Sequence, residues 1–131
     1  MQPRTHHRSI EKHPLRVFFV SVYGHRIRVR IYQNINSVHR AYISTPSACS
    51  SARAVRKNLR GKHVHGFCMI TATGKVIITT ATASDLFEII PHEVTHAADF
   101  LIPHAEDELK ATVVGLFCKK IFAALKKHHS L

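Results

Sequence analysis

The sequence predicts an α+β fold in which a small mixed or antiparallel sheet packs against helices. Two pairs of strand-like segments each flank a short turn, and apolar residues in the second half of the chain recur at helical spacing. The chain has 131 residues with 45% hydrophobic content, enough for one buried core. We therefore expect a basic, flexible N-terminus at residues 1–13 and a single domain at residues 14–131.

The first strand pair opens the domain. Leu15–Tyr23 is rich in β-branched and aromatic residues, and His25–Tyr32 alternates strictly between aliphatic residues and arginines. With Gly24 at the turn, these segments predict a hairpin with one solvated, arginine-bearing face. Residues 33–46 then place turn-forming residues around the short apolar stretch Ala41–Ile43, which indicates a turn, a third strand and another turn.

A basic amphipathic helix is predicted next, at Ser47–Leu59, because its apolar residues have helical spacing and Gly61 follows as a helix-ending glycine. A second hairpin is predicted from Phe67–Ala72 and Lys75–Thr80, which flank a Thr-Gly turn. This hairpin leads directly to the most informative part of the chain.

Two helices are predicted to complete the domain. Ser84–Ile102 has helical spacing, although Pro91 must either kink this helix or start a new one at its first turn. Glu106–Lys127 carries apolar residues at helical spacing and ends in lysines, where cations suit the helix dipole.

Composition narrows the function classes. Nineteen Lys and Arg against eight Asp and Glu give a net charge of +11 and a pI near 10.2, which favours contact with polyanions. Three widely spaced cysteines indicate neither a disulfide framework nor a thiolate zinc site, so we expect buried, reduced thiols. The apolar run Val17–Val22 is too short for a signal peptide or a membrane span, so we expect a soluble cytoplasmic protein of a bacterial or other host cell, with no membrane partner.

The segment HEVTH at residues 92–96 carries the chemistry. Two histidines four apart on a helix can reach one tetrahedral metal, and a glutamate beside the first can touch a metal-bound water. This predicts His92 and His96 as Zn²⁺ ligands and Glu93 as the general base. Zinc lowers the pKa of its bound water towards ~7, so the implied reaction is amide hydrolysis. The apolar and small flanking residues favour a buried active-site helix over a solvated helix with incidental histidines.

A catalytic zinc site needs a third protein ligand. Small residues form a stripe at helical spacing with a glutamate at its head, namely Glu108, Ala111, Gly115 and Cys118. If that stripe faces the HEVTH helix, Glu108 points at the metal. Glu106, Asp107 and His104 are the alternatives, and the acids also suit a helix N-terminus without any metal.

The segments PHEVTHAADF and DELKATVVGLFCKKI together resemble the zincin superfamily, specifically the short gluzincin-like peptidases often found in phage and prophage sequences. Those proteins show an HExxHA helix and then a DExxAxxxGxL helix. The resemblance covers about residues 65–125. It implies a zincin-like fold, zinc held by His92, His96 and Glu108, and a water activated by Glu93.

The same resemblance implies that an extended peptide or protein substrate adds to a free sheet edge, formed by Lys75–Thr80 or by Phe67–Ala72. The metzincin branch is disfavoured, because its pattern needs glycine at Asp99 and histidine at Ile102. Asp99 could instead accept an imidazole N–H or simply be solvated. The polar residues available to stabilise an oxyanion are His63, His65, Tyr42 and Arg60.

Two rival functions remain. In the first, Arg26, Arg28 and Arg30, with Arg53, Arg56 and Lys57, bind the phosphates of nucleic acid or contact an acidic protein, although no aromatic stacking signature accompanies them. In the second, a zincin fold binds a host target with little or no turnover. The intact HEVTH segment argues against that function, because Glu93 would then be an unneeded buried charge.

Overall fold

The computed structural model describes residues 13–44, 65–82 and 84–127. These residues form a mixed α+β fold with a four-stranded mixed sheet and three helices. In chain order the elements are β1 (Arg16–Val22), β2 (His25–Tyr32), α1 (Ile35–Ser44), β3 (Gly66–Ile70), β4 (Val76–Ala81), α2 (Leu86–Leu101) and α3 (Asp107–Lys127). The predicted helix Ser47–Leu59 and the basic N-terminus before His13 lie outside the described residues.

The sheet has the strand order β1-β2-β4-β3. β1 and β2 form the predicted hairpin, and β3 and β4 form the second one, both antiparallel. Tyr23 and Gly24 both have positive φ angles, of 50° and 81°, as the two-residue turns that suit the twist of a hairpin require. β2 and β4 pair in parallel, which makes the sheet mixed and puts both hairpin turns at the same end.

The core lies between one face of the sheet and the two C-terminal helices. Aliphatic side chains alternate inward along β2 and β4, where Ile27, Val29 and Ile78 are fully buried. α2 contributes Ile90 and Val94 to this core, and α3 contributes its own buried stripe, Val113, Phe117, Ile121 and Leu125. This packing fixes the HEVTH helix on β3 and β4.

The structure corrects the prediction for residues 33–46. The chain forms helix α1 here, not a strand between turns. Asn34 Oδ1 accepts hydrogen bonds from the backbone N and the Oγ of Ser37, at 3.0 and 3.1 Å, as the capping residue of a helix does. The apolar residues Ile35 and Val38 then pack with Tyr32 in a second small core on the other face of the sheet.

Helix α2 runs without interruption from Leu86 to Leu101, so Pro91 lies inside it and does not start a new helix. A proline inside a helix costs about 3 kcal/mol, since it removes one backbone hydrogen bond and crowds the preceding turn. Burial of Ile90, Val94 and Ala97 offsets this cost. In the described part of the chain, no helix combines the length and apolar composition that crossing a bilayer requires.

Candidate metal centre

Helix α2 positions the residues of the HEVTH segment. Its buried face, including Ile90, Val94 and Ala97, packs on the sheet, and this orientation turns His92 and His96 towards solvent. The two histidines are one helical turn apart and therefore project side by side. The four-residue spacing in the sequence predicts that the two imidazoles lie side by side. Their exposure to solvent depends on how α2 is rotated when it packs on the sheet.

The two imidazoles face each other through the nitrogen atoms that usually bind zinc. The Nε2 atoms of His92 and His96 lie 3.3 Å apart, and the ring centroids are 4.9 Å apart with the planes at 79°. Two ligands with Zn–N bonds of about 2.0–2.1 Å at a tetrahedral angle have nitrogens separated by about 3.3–3.4 Å. The same distance also permits a long hydrogen bond between the rings, with one of them protonated at Nε2.

Glu93 lies on the adjacent side of the helix and points into the protein. It is 6% exposed, and this burial raises the pKa of its carboxyl to about 7. Its titratable neighbour on the sheet is Cys68 of β3, whose pKa is raised by burial and further by the negative charge of Glu93. The carboxyl therefore sits between helix α2 and the edge of the sheet.

Strand β3 is the outer strand on this side of the described sheet. β4 pairs with β2 and with β3, so it is an interior strand, whereas β3 pairs with β4 alone among the described strands. Of the two segments predicted as substrate-binding edges, only the one at Phe67–Ala72 thus lies at an edge. α2 packs across both β3 and β4, which brings that edge next to Glu93.

The structure does not bring the predicted third ligand to the histidine pair. Glu108 is exposed in the first turn of α3, and Glu106, Asp107 and His104 are also exposed. Among residues 13–44, 65–82 and 84–127, no three His, Cys, Asp or Glu side chains are grouped so as to hold a metal ion. The assignment of Glu108 to zinc stays a prediction.

The small-residue stripe of α3 is not packed against the HEVTH helix at Ala111 and Gly115, so the condition under which Glu108 would point at the metal is not met there. Ala111 and Gly115 are exposed, and a Cβ added at Gly115 would meet no atom of the described neighbours within 4 Å. α3 packs instead through its larger apolar side chains, such as Val113 and Phe117, because they bury more apolar area per residue.

The remaining polar residues have other positions. Asp99 accepts a hydrogen bond at 3.1 Å from Lys110 Nζ, which ties α2 to α3. Tyr42 packs edge-on against Phe67, on the sheet face away from α2, with centroids 5.2 Å apart. His65 is exposed just before β3, and its backbone oxygen accepts a bond from Thr80 Oγ1. His63 and Arg60 lie outside the described residues.

One neighbour of the site, Cys68, is missed by reasoning from sequence. The spacing of the cysteines predicts only a buried thiol at this position, whereas its place opposite Glu93 depends on the strand register that pairs it with Ile78. No family model, no curated protein and no solved structure matches this chain. The geometry of the described residues is therefore the basis for any functional proposal.

Proposed function

We propose that the protein is a zinc-dependent peptidase in which His92 and His96 bind the metal and Glu93 is the general base. The observation that carries this proposal is the 3.3 Å separation of the two Nε2 atoms on an exposed helix surface. It agrees with the spacing of about 3.3–3.4 Å between two nitrogens of a tetrahedral zinc site. A donor set of neutral imidazoles with a carboxylate nearby suits zinc.

Zinc at this position would supply a Lewis acid that polarises a carbonyl oxygen and makes a water more acidic. The chain itself supplies the proton transfer. Glu93 accepts a proton from the attacking water and then donates it to the leaving amine, so that the peptide bond breaks without a free amide anion. Burial of Glu93 raises the pKa of its carboxyl to about 7, which suits a group that accepts and then donates a proton near neutral pH.

The position of β3 as the outer strand of the described sheet supports a mode of substrate binding. A strand at the edge of a sheet presents backbone N–H and C=O groups, and an extended peptide can pair with them whatever its sequence. Because β3 lies next to Glu93, a peptide added there would run close to this carboxyl. The substrate class that fits is an extended or unfolded polypeptide.

The direct test compares zinc content and cleavage of an unfolded protein such as casein across matched variants of the untagged chain. The parent protein, purified with zinc present, should carry a single zinc per chain. His92→Ala and His96→Ala should each lose it, while Glu93→Gln should keep it and lower kcat by about 10²–10⁴-fold.

His13→Ala is the control, because it removes an exposed imidazole outside the site. It should change neither zinc content nor cleavage. A parent protein that binds no zinc would overturn the proposal and assign the 3.3 Å contact to a hydrogen bond between the two rings. Retained cleavage in Glu93→Gln would overturn the role of Glu93 alone.

A further inference from the structure

A second cluster of functional side chains lies on the sheet face opposite the HEVTH helix. Val20, Val22 and Ile27 point into the core, so the alternate residues of β1 and β2 face the other way. Phe19 stands directly across from Arg28 in the strand register, and Arg26 lies diagonally beside them. These three side chains form an arginine–phenylalanine cluster on the outer face of the first hairpin.

The cluster is organised around an exposed aromatic ring. Phe19 is 48% exposed, and the guanidinium carbons of Arg26 and Arg28 lie 4.6 and 5.2 Å from its ring centroid. Cations over a ring face at such distances are held by the electrostatic attraction of the π system. The ring and the two charges are thus held together on the protein surface before any ligand arrives.

These side chains, together with Val76 and with Leu101 at the end of α2, line a cavity of about 300 Å³ between the two hairpin turns. Lys75 adds a third cation, and the two turns contribute Gly24 and Gly74. The described residues that line the cavity include no carboxylate. A volume near the lower end of the range of about 300–1,000 Å³ for small-molecule sites can hold one planar group with an attached anion.

Arg30 has a different role from its two neighbours. Its Nη2 and Nε donate to Thr79 Oγ1 at 2.8 and 3.1 Å, which directs this guanidinium to a partner on β4. The set predicted from sequence therefore divides, with Arg30 structural and Arg26 and Arg28 facing the cavity. The aromatic partner that the sequence did not reveal is Phe19, supplied by the neighbouring strand.

We propose that this cavity binds single-stranded nucleic acid. A base stacks on Phe19 or on the plane of an arginine, and the phosphates on either side pair with Arg26, Arg28 and Lys75. Stacking surfaces inside a positively charged groove are how proteins hold single strands with little sequence preference. An unpaired base is needed, since the stacked bases of a duplex present no free face.

The arrangement favours a nucleic acid over an anionic membrane. Membrane-surface contacts use apolar side chains that project beyond the charges and enter the acyl layer. Here the ring of Phe19 is flanked by the guanidinium groups, at 4.6 and 5.2 Å, and lines a recess. Arginine also pairs with phosphate in a two-pronged geometry that lysine cannot make.

The test measures binding of a fluorescent single strand of about 12 nucleotides to the full-length chain by anisotropy, at several salt concentrations. Phe19→Ala should weaken binding by about 5–150-fold, the loss of one stacked base. Arg26→Ala/Arg28→Ala should weaken it and make the slope of log K against log salt shallower by about 1.4, which corresponds to two phosphate contacts. Arg28→Lys keeps the charge and should still weaken binding through loss of the planar group.

Controls remove the same groups elsewhere. Lys119→Ala/Lys126→Ala deletes two exposed charges from α3, and Phe87→Ala deletes an exposed ring from α2, so both should bind nearly as the parent does. Equal losses in the two double variants, an unchanged Phe19→Ala, or equal affinity for a duplex would each overturn the proposal. Binding to vesicles of anionic lipid that depends on Arg26 and Arg28, without binding to the single strand, would overturn it in favour of a membrane surface.

Discussion

A Cβ atom placed on Gly66 would stand 2.5 Å from Cγ2 of Ile89 and 3.2 Å from the backbone oxygen of Thr79. Strand β3 therefore passes helix α2 at a distance that only glycine permits. The nearest atom is a methyl group of Ile89, whose β-branched side chain has few alternative rotamers. The next is a backbone oxygen of the neighbouring strand, so neither atom can shift without a cost in free energy. This close approach sets how near the edge strand lies to the HEVTH helix.

Gly66→Ala should lower the free energy of unfolding by about 1–3 kcal/mol, because the added methyl overpacks the contact between strand and helix. Urea denaturation followed by circular dichroism measures this change. If the protein is a peptidase, the displaced edge should also raise KM for an unfolded substrate.

Gly115→Ala provides the matched control for that substitution. Gly115 lies in the exposed middle of α3, and a Cβ there would meet no atom of the described neighbours within 4 Å. Alanine should stabilise this helix by about 0.5–1 kcal/mol relative to glycine. Equal effects of the two substitutions would show that Gly66 is not constrained by Ile89.

The second prediction concerns pH. Burial raises the pKa of Glu93 from its ordinary value of 4.5 to about 7 in the folded protein, so protonation of this carboxyl favours folding. Its contribution to stability is fully present below about pH 4.5 and is lost as pH rises through about 7, amounting to at most about 3 kcal/mol. Urea unfolding in the presence of a chelator, over this range, measures it.

Glu93→Gln is the comparison for the pH experiment, since it keeps the shape of the side chain and removes its titration. The stability difference between parent and variant should change with pH in the direction given, because the other titrating groups are common to both. A difference that stays constant from acid to neutral pH would mean that Glu93 is solvated.

The third prediction separates the candidates for the third zinc donor. Glu108→Ala should reduce zinc affinity by more than the roughly 10–100-fold that loss of a hydrogen-bonding partner of a ligand costs. Substitutions of Glu106, Asp107 and His104 by alanine should have smaller effects. Competition with a chromogenic chelator measures the affinities, and the largest loss at one of the other three positions would refute the assignment of Glu108.

The fourth prediction concerns the buried end of Arg30. Burial lowers the pKa of this guanidinium, and its Nη2 and Nε both donate to Thr79 Oγ1. Thr79 is fully buried, and Thr79→Val keeps its shape but removes the acceptor. The variant should lose about 1–3 kcal/mol in urea unfolding, because a donor is left without this partner.

The double variant Arg30→Met/Thr79→Val tests the cause of that loss. Replacing both partners by apolar groups of similar shape should recover most of the stability, as expected when the penalty comes from the unpaired donor. A double variant that is as unstable as Thr79→Val, or less stable, would assign the effect to packing around the strand.

Residue patterns within single segments were sufficient to predict most of the strands and helices of this fold. Alternation along His25–Tyr32 predicted the first hairpin, and two strand-like segments around a Thr-Gly turn predicted the second. Apolar spacing predicted α2 and α3 to within a few residues. Helix α1 was missed because Asn34 is typical of a turn, although the same side chain caps a helix by accepting a bond from Ser37. A short polar residue favours both structures, and only the apolar spacing that follows distinguishes them.

Features that depend on relations between segments could not be predicted. The pairing of Phe19 with Arg28 depends on the register between β1 and β2, and the position of Cys68 against Glu93 depends on how a helix lies on the sheet. The sequence left the packing face of α3 open, because small residues permit close packing without requiring it, while large apolar ones gain more from burial. The spacing of residues predicts which side chains share one face of a helix or strand, and the packing of elements determines which residues that face contacts.

The parallel pairing of β4 with β2 makes the second half of the chain dependent on the first. The HEVTH segment and the edge strand β3 both come after residue 65. The core on which they pack nevertheless includes Ile27, Val29 and Ile31 of β2. A fragment starting at residue 65 would leave one edge of β4 unpaired and would lack the core residues of β2 that lie beneath α2. The chain must close a long loop before α2 has a sheet to pack on, so docking of the HEVTH helix depends on the first hairpin.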